Sequence, residues 1–534
     1  MNYFEILLAK KLAGSSGGGS IGALVEIATA AGATVEALDE ESKVKYSADA
    51  DNTGAAEMQI KKSGTYTLRA KIKNAGEVNW IYSETDSVTI PEYGGLFDST
   101  LNFITLSLTA PQGSTYTLTD GTTTYTGTST GEAVTYYLPN TGTWTASCTD
   151  GTQSATETVS VTAYTAYTVD LSYVHVYGVI WDKTQPATTL TRTDDAANFA
   201  NPDPYVADGN HPGSSPFDSF APWSGMVKET IGGSVLVKIP KFWYKWTSTS
   251  STLELQIANK AVAGFNVSPA HADRGDGKGE RDYVYIARYK CSSTDYKSVT
   301  GESPKVSITR GAARTAIKAL GTGFYQQDFA MFWTTRMLYL VEFANWNSQA
   351  AIGYGCGNNS SVQNTGASDS MTYHTGTMQS ARTTYGVGVQ YRWIEDPWGN
   401  VREWCDGIRF SVPPSGSSTS NTGIYMINNP ENFSDTAPGT YIGKRPTTSA
   451  YISDWSIPTA TGFEYALYPS AFYGGEQTYI ADVCNYGSGA DALNVGGYYS
   501  KGQSCGMFSL NGDNSASYSG SYLGARLMYL PPQS

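Results

Sequence analysis

The chain has 534 residues, a formal net charge of −13 and only 16% charged residues. No basic cluster accompanies this acidic balance, which argues against a nucleic-acid-binding or anionic-membrane-binding surface. Gly (56) and Tyr (38) are abundant and Ser and Thr are plentiful, a composition typical of turn-rich β proteins. We therefore expect a mostly β protein of roughly three or four domains with few long helices.

The first twenty residues predict a short amphipathic helix followed by a flexible linker, "GSSGGGS" at 14–20. Its apolar residues recur at helical spacing: Phe4, Leu7, Leu8 and Leu12. Such a helix is marginal alone, so residues 1–20 are either a frayed terminus or a peptide that docks on another protein. The apolar run at residues 6–9 is short and flanked by charges, so we expect neither a signal peptide nor membrane insertion.

Residues 21–93 and 94–172 predict two successive β-rich modules. Both contain short strands of alternating Thr, Tyr and Val, separated by turns rich in Gly and Asp. "SGTYT" at 63–67 is followed 78 residues later by "TGTWT" at 141–145, which indicates two copies of one module. The pattern favours immunoglobulin-like sandwiches. The modules resemble the bacterial immunoglobulin-like spacers of surface and virion proteins.

From about residue 173 the sequence pattern changes, and helices are expected as well as strands. Two helices are expected, near 307–320 and near 325–344, and the second has a core-facing apolar stripe: Phe329, Phe332, Leu340, Val341 and Ala344. About 190 residues of Gly/Ser/Asn/Tyr-rich loops and short strands follow residue 345. A stretch of that length without strong elements is unusual unless its loops are functional.

The segment "EDPWGNVREWCDG" at 395–407 combines features of an active site and of a core. Neither side of its two-residue alternation is polar over 398–407, which predicts a strand buried on both faces. Burial requires that Arg402 and Glu403 find partners, and we propose Arg526 as the partner of Glu403.

"GNVREWC" in this segment resembles the "GNVWEWC" signature of the formylglycine-generating enzyme family, a variant of the C-type lectin fold. The closing "LGARLMYL" at 523–530, the "YIARYKC" strand at 285–291 and the helix within 337–353 are similar to further elements of that family. The resemblance covers about residues 175–534. It implies a C-type-lectin-fold domain over 173–534, in an α+β arrangement after the two β-sandwiches.

The enzymes of that family bind copper through two cysteines separated by four residues, whereas Cys484 and Cys505 lie twenty-one residues apart. None of the four histidines lies at metal-ligand spacing from another: His175, His211, His271 and His374. The acidic stretch 271–282 is interpreted as a solvated loop rather than a cation site. We expect no catalytic residue, no bound metal and no cofactor, with the six cysteines mostly reduced and buried. A copper oxidase of the formylglycine-generating type is the alternative.

The last seventy residues resemble the variable region of proteins diversified by diversity-generating retroelements, which are often phage tail receptor-binding proteins with the same lectin fold. In those proteins a scaffold carries Tyr, Ser, Asn, Asp and Gly at variable positions, and residues 480–525 have that composition. Tyr offers large contact area with few rotors to freeze, while Ser and Asn supply adaptable hydrogen bonds. The expected ligand-binding residues are Asp482, Asn485, Tyr486, Ser488, Tyr499, Ser500, Gln503, Asn511, Asp513, Tyr518, Ser519 and Tyr522.

The resemblance implies host attachment by a phage or prophage tail protein, a virion component assembled in the host cytoplasm. Its expected partners are a protein or glycan receptor on the host surface and other tail proteins reached through the N-terminal helix. A homo-oligomer such as a trimer is expected, because many weak sites gain from avidity. A bacterial surface lectin is a second alternative.

Overall fold

Strands make up most of the regular structure in the computed structural model, which describes residues 22–414, 420–437 and 439–532. The expectation of a mostly β protein is confirmed. The helix and linker expected in residues 1–20 lie outside the described residues. The chain divides into two units, Met1–Val174 and His175–Ser534, each built around its own core or cores.

The first module of the N-terminal unit is a two-sheet structure. Residues 22–103, described without a gap, form β1 (Ala23–Ala28), β2 (Thr34–Leu38), β3 (Val44–Asp49), β4 (Ala55–Ile60), β5 (Gly64–Ile72), β6 (Ile81–Ile90) and β7 (Leu96–Thr100). The sheets have the strand orders β4-β1-β7 and β3-β2-β5-β6. The core includes Leu101 and Phe103, so this module extends beyond the boundary expected at residue 93.

The second module has the same plan. Its strands are β8 (Ile104–Thr109), β9 (Thr115–Thr119), β10 (Thr124–Thr128), β11 (Val134–Leu138), β12 (Gly142–Thr149), β13 (Ser154–Val161) and β14 (Ala166–Asp170). The sheets have the orders β10-β9-β12-β13 and β11-β8-β14. In each module the first strand pairs in parallel with the last.

The two copies of the repeated pentapeptide occupy equivalent places. Each begins the fifth strand of its module and buries its aromatic ring, Tyr66 in β5 and Trp144 in β12. Gly64 and Gly142 lie two residues before these aromatic residues. Their φ values are 142° and 135°, in a region that residues with a side chain avoid. The glycine of the repeat is therefore required by the backbone where each strand begins.

The described part of the C-terminal unit contains three α-helices and many short strands. The helices are α1 (Arg310–Lys318), α2 (Phe329–Phe343) and α3 (Ser348–Ala351). The strands before α2 are β15 (Val176–Asp182), β16 (Thr191–Asp194), β17 (Tyr205–Val206), β18 (Lys228–Ile231), β19 (Ser234–Pro240), β20 (Trp243–Ser248), β21 (Thr252–Ala258), β22 (Asn266–Val267), β23 (Tyr283–Ala287) and β24 (Phe324–Gln326).

The strands after α3 are β25 (Gly376–Thr377), β26 (Val389–Tyr391), β27 (Ile394–Glu395), β28 (Arg402–Cys405), β29 (Ile408–Ser411), β30 (Gly423–Met426), β31 (Thr440–Lys444), β32 (Ala450–Ser456), β33 (Tyr468–Phe472), β34 (Val483–Tyr486), β35 (Ala492–Val495), β36 (Leu510–Asn514), β37 (Leu523–Gly524) and β38 (Leu527–Tyr529). Their largest sheet has the order β33-β32-β34-β36-β35-β28-β37.

The last strand of the chain closes a sheet that begins about 300 residues earlier in sequence. β38 lies between β23 and β24 and pairs antiparallel with both, within the order β18-β19-β23-β38-β24. The closing "LGARLMYL" segment and the "YIARYKC" segment are therefore neighbours. Arg526 is held in the interior at this junction.

Helix α2 is buried on every side rather than along one stripe. All fifteen of its residues are buried, because its sequence is apolar around the whole circumference, as in a helix enclosed by a core. It begins at the cap residue Asp328, whose Oδ1 accepts a hydrogen bond from the Met331 amide at 2.7 Å. Its polar members find partners, such as Glu342 with Arg392 at 2.6 Å.

The predicted pairing of Glu403 with Arg526 is confirmed. Arg526 Nε donates to Glu403 Oε1 at 2.8 Å, and Lys290 Nζ donates to the same oxygen at 2.6 Å. Trp398 and Trp404 are fully buried beside this network. Burial alone would raise the pKa of Glu403, but Arg526 and Lys290 hold it below its ordinary value. The segment 395–407 is therefore part of the buried frame of the unit.

Candidate functional site

Residues 480–525 wind through one half of the seven-stranded sheet. β34, β36 and β35 are adjacent strands, and β35 is followed by β28 and β37. Between the strands run the loops 487–491, 496–509 and 515–522. The expected binding residues fall on these loops and on the strands beside them, and most of their side chains lie at or near the surface.

Four tyrosines from two of these loops form what we call the tyrosine cluster: Tyr498, Tyr499, Tyr518 and Tyr522. The rings of Tyr498 and Tyr522 stack with centroids 4.5 Å apart, and Tyr499 meets Tyr498 edge-on at 5.4 Å. The hydroxyls of Tyr518 and Tyr522 lie 2.7 Å apart. Tyr518 is 36% exposed, and the cluster is therefore an amphipathic surface of ring faces and hydroxyl groups.

A small core supports the cluster from below. Trp404, Ala492, Ala516 and Leu523 pack together, and Tyr522 packs against them. Burial, then the hydrogen bond with Tyr518, raises the pKa of Tyr522 to about 12, so its hydroxyl stays protonated at neutral pH. Ser500 and Ser519 are exposed on the same loops.

A second group of expected residues forms an asparagine network on β34, β35 and β36. Asn485 donates to Asn511 Oδ1 at 2.7 Å, and Asn511 donates to Asn514 Oδ1 at 3.1 Å and to Asp513. Asn511 is only 1% exposed, so it lies beneath the surface. Asp513 and the nearby Ser488 are exposed, while Asn485 and Tyr486 are partly buried. The network orients surface groups through an internal amide.

Gln503 belongs to a third neighbourhood. Its amide donates to the Tyr354 hydroxyl at 3.1 Å and its carbonyl oxygen accepts from Gln477 at 3.1 Å. The Tyr354 ring lies 4.8 Å from that of Tyr385. Apart from Asp482, the expected set is thus divided among three neighbourhoods, and this one includes two tyrosines that lie outside residues 480–525.

Asp482 lies inside the protein and not on its surface. It is 3% exposed, and its Oδ2 accepts a hydrogen bond from the Phe508 amide at 2.8 Å. Burial raises the pKa of its carboxyl to about 7. Asp482 therefore shapes the loop 496–509 and offers no surface to a ligand.

Arg402 and Lys501 contribute positive charge at the tyrosine cluster. The Arg402 guanidinium carbon lies 5.0 Å from the Tyr498 centroid and 5.9 Å from that of Tyr522. The Lys501 ammonium lies 5.5 Å from the Tyr498 centroid. Arg402 was expected only as a buried residue needing a partner, because the sequence does not reveal that β28 runs beneath loops some hundred residues later.

The cysteines of the alternative oxidase interpretation do not meet. Cys484 Sγ lies 3.7 Å from the Tyr468 hydroxyl, and Cys505 Sγ lies 3.4 Å from the Gly496 carbonyl. Burial raises the pKa of both thiols to about 12. All six cysteines are free and buried, as expected. Within the described ranges, His, Cys, Asp and Glu form no group of three suited to a metal ion.

No protein-family model and no curated protein matches the chain. Similar solved structures include the Bacillus anthracis TIE protein, at 11% identity over 33% of this chain and 42% of that chain, with a TM-score of 0.13. A candidate adhesin from Bacteroides ovatus is 10% identical over 24% of this chain and 71% of that chain, with a TM-score of 0.14. The Major Tropism Determinant U1 variant is 11% identical over 88% of this chain and 81% of that chain, with a TM-score of 0.20.

This chain therefore spans less than half of the TIE protein. TM-scores of 0.13 to 0.20 are too low for these likenesses to carry an argument about fold or function. Among the described residues, no helix combines the length and apolar character needed to cross a membrane.

Proposed function

We propose that this chain attaches a phage or prophage tail to a receptor on the host cell surface, and that the tyrosine cluster is its contact surface. The C-terminal unit would be a C-type lectin scaffold, and the two N-terminal modules would be immunoglobulin-like spacers. The chain would act by binding, without catalysis, cofactor or metal. The tyrosine cluster would recognise its partner through aromatic rings and hydroxyl groups.

The observation that carries this proposal is the convergence of four tyrosines from two separate loops on one partly exposed patch. Stacked and edge-on rings restrict one another, so binding freezes few rotors. The hydroxyl pair of Tyr518 and Tyr522, with exposed Ser500 and Ser519, supplies donors and acceptors around the rings. Tyr518 is 36% exposed, so this part of the cluster is open to a partner.

The division between frame and surface also favours a diversified binding face. Backbone pairing of β28 with β35 and β37 fixes the loops from below. Within the described residues, the exposed side chains of Ser500, Asp513 and Ser519 make one internal hydrogen bond, between Asp513 and Asn511. Substitution at such positions costs little stability. This is the property that retroelement diversification requires, and on it we base the proposed variable region.

The test is a variant with Tyr499→Ala, Tyr518→Ala and Tyr522→Phe, in which the Tyr522 ring is kept because it packs on the small core. We expect attachment to host cells to fall at least about tenfold, as for loss of a hot spot, with an unchanged melting curve. Tyr441→Ala is the matched control, since Tyr441 is 38% exposed and contacts a tyrosine, Tyr425, at 5.5 Å. Equal attachment by the variant and the control would refute the proposal.

A further inference from the structure

One buried arginine in the described part of the chain differs from all the others. Nine arginines are at most 4% exposed. Eight of them donate side-chain hydrogen bonds to carboxylates, hydroxyls or carbonyl oxygens: Arg274, Arg281, Arg288, Arg310, Arg336, Arg392, Arg445 and Arg526. Arg402 is the exception: within the described residues its side chain makes no hydrogen bond or ion pair, and its Nε is buried without a partner.

A cation in this position is costly. Burying a charged group without a hydrogen-bonding counter-ion is unfavourable, and ring contacts with Tyr498 and Tyr522 offset only part of that cost. Burial lowers the pKa of Arg402, and the nearby Asp513 carboxylate is the largest influence in the opposite direction. Asp513 nevertheless forms no ion pair with it, so within the described residues the N–H groups of the guanidinium have no hydrogen-bonding partner.

Arg402 is 4% exposed and lies directly beneath the tyrosine cluster. The rings of Tyr498 and Tyr522 that cover it are only partly buried, so the guanidinium lies one side chain below the surface of the tyrosine cluster. The signature that this segment resembles has tryptophan where this chain has Arg402. A second cation, Lys501, stands exposed at the rim over the same Tyr498 ring.

We propose that Arg402 anchors an oxyanion subsite within the tyrosine cluster and that the ligand is the carboxylate or sulfate group of an acidic saccharide. The proposal rests on the proposed receptor-binding function and names the chemistry recognised there. A guanidinium binds a carboxylate or sulfate through two parallel N–H donors. That pairing supplies a counter-ion that the described part of the chain does not provide.

The surroundings favour a saccharide over an acidic protein segment. The rim around Arg402 presents the ring faces and hydroxyl groups of Tyr518 and Tyr522 together with the cation Lys501. Exposed Ser500 and Ser519 lie on the same two loops. Sugar rings present hydroxyls and an apolar face in alternation, which such a rim can satisfy. Interfaces between proteins have an apolar core, whereas the most exposed large hydrophobic side chain in described residues 480–525 is Tyr518, at 36%.

The experiment titrates the full chain with lactose, sialyllactose, sulfated lactose and a glutamate-rich peptide, followed by ligand-observed NMR. We expect an acidic saccharide to bind at least about tenfold more tightly than lactose, and Arg402→Gln to abolish that preference. Arg402→Lys should retain part of this preference. Asp513→Asn should strengthen binding of the acidic saccharide, because it removes a negative charge that repels the ligand. The control Lys228→Gln removes an exposed cation that lies over Trp393 at 4.2 Å and should change nothing. The sialylated and sulfated sugars separate the two anion sources.

Three results would overturn the proposal: no preference for the acidic saccharides, an unchanged preference in Arg402→Gln, or tighter binding of the peptide than of any sugar. The melting temperature gives an independent readout. Because Arg402 has no counter-ion among the described residues, Arg402→Gln should melt at or above the wild-type temperature, and a fall of several degrees would mean a structural cation. If the tyrosine variant loses attachment while Arg402→Gln keeps it, the proposed function stands and this inference fails. If both attach normally, the proposed function fails.

Discussion

Glu403→Gln tests whether the buried frame depends on one carboxylate shared by two cations. Glu403 is 2% exposed, and its Oε1 accepts from both Arg526 and Lys290. Removing the charge leaves Lys290 without its ion-pair partner, and breaking a buried pair in this way costs about 3–5 kcal/mol. Arg526 is less affected, because its Nη atoms donate to four backbone carbonyls at 2.8–3.1 Å.

The magnitude can be expressed as a melting temperature. The C-terminal unit runs from His175 to Ser534. With an unfolding entropy of about 2.1 cal/mol/K per residue, a change of 1 kcal/mol in its free energy of unfolding shifts its melting temperature by about 1.3 °C. Glu403→Gln should therefore lower the melting temperature of this unit by about 4–7 °C in differential scanning calorimetry of the full chain. Adding Lys290→Met, which removes the orphaned ammonium, should restore more than half of the loss.

The matched control is Glu36→Gln in the first module. Glu36 is 5% exposed and also pairs with two cations, Arg69 at 2.8 Å and Lys71. These cations are 30% and 21% exposed, so water can solvate them when the carboxylate is lost, and the cost should be within about 1 kcal/mol. An equal loss in the two variants, or a failure of Lys290→Met to restore stability, would refute the reasoning.

Two further predictions concern pH and backbone strain. The pKa of the Asp482 carboxyl is about 7 in the fold and 3.8 ordinarily. As the pH rises, the unfolded chain loses this proton first, so the free energy of unfolding should fall by up to about 4 kcal/mol between pH 4 and pH 7. Calorimetry at pH 5 and pH 8 should show a smaller fall in Asp482→Asn than in the wild type, and an equal fall would contradict the assignment. Gly142→Ala should destabilise the second module by about 1–3 kcal/mol, because Gly142 has a φ of 135°. Gly489 has an ordinary φ and open space around it, so Gly489→Ala should leave stability unchanged. Equal shifts of the chemical-denaturation midpoint in the two variants would refute this reasoning.

Much of the fold could be predicted because local signals and tertiary structure agree. Alternating Thr and Tyr with glycine turns predicted the strands of both modules, and the repeated pentapeptide matched an equivalent strand in each. The helices expected near 307–320 and 325–344 are Arg310–Lys318 and Phe329–Phe343. The extent of the first module was not predictable, since β7 belongs to it through pairing with β1, a contact between residues far apart in sequence.

The candidate site was predictable in composition but not in depth. Three of the expected residues lie together at one surface: Tyr499, Tyr518 and Tyr522. Two others, Asp482 and Asn511, are as polar as typical surface residues, but they are buried. A polar side chain enters the interior when the backbone offers it a partner, as the Phe508 amide does for Asp482, and that partner depends on a loop geometry that the sequence does not encode locally. Arg402, Tyr354 and Tyr385 were missed because they reach the site from distant segments.

Chemical footprinting tests the central claim most directly. The full chain would be nitrated at tyrosine, free and bound to envelope fractions of candidate host bacteria, and each site would be quantified by mass spectrometry. We predict protection of Tyr518 on binding, with Tyr441 and Tyr473, which are 38% and 72% exposed, modified equally in both states. Binding that leaves Tyr518 unprotected while protecting Tyr441 or Tyr473 would contradict the assignment of the tyrosine cluster as the contact surface.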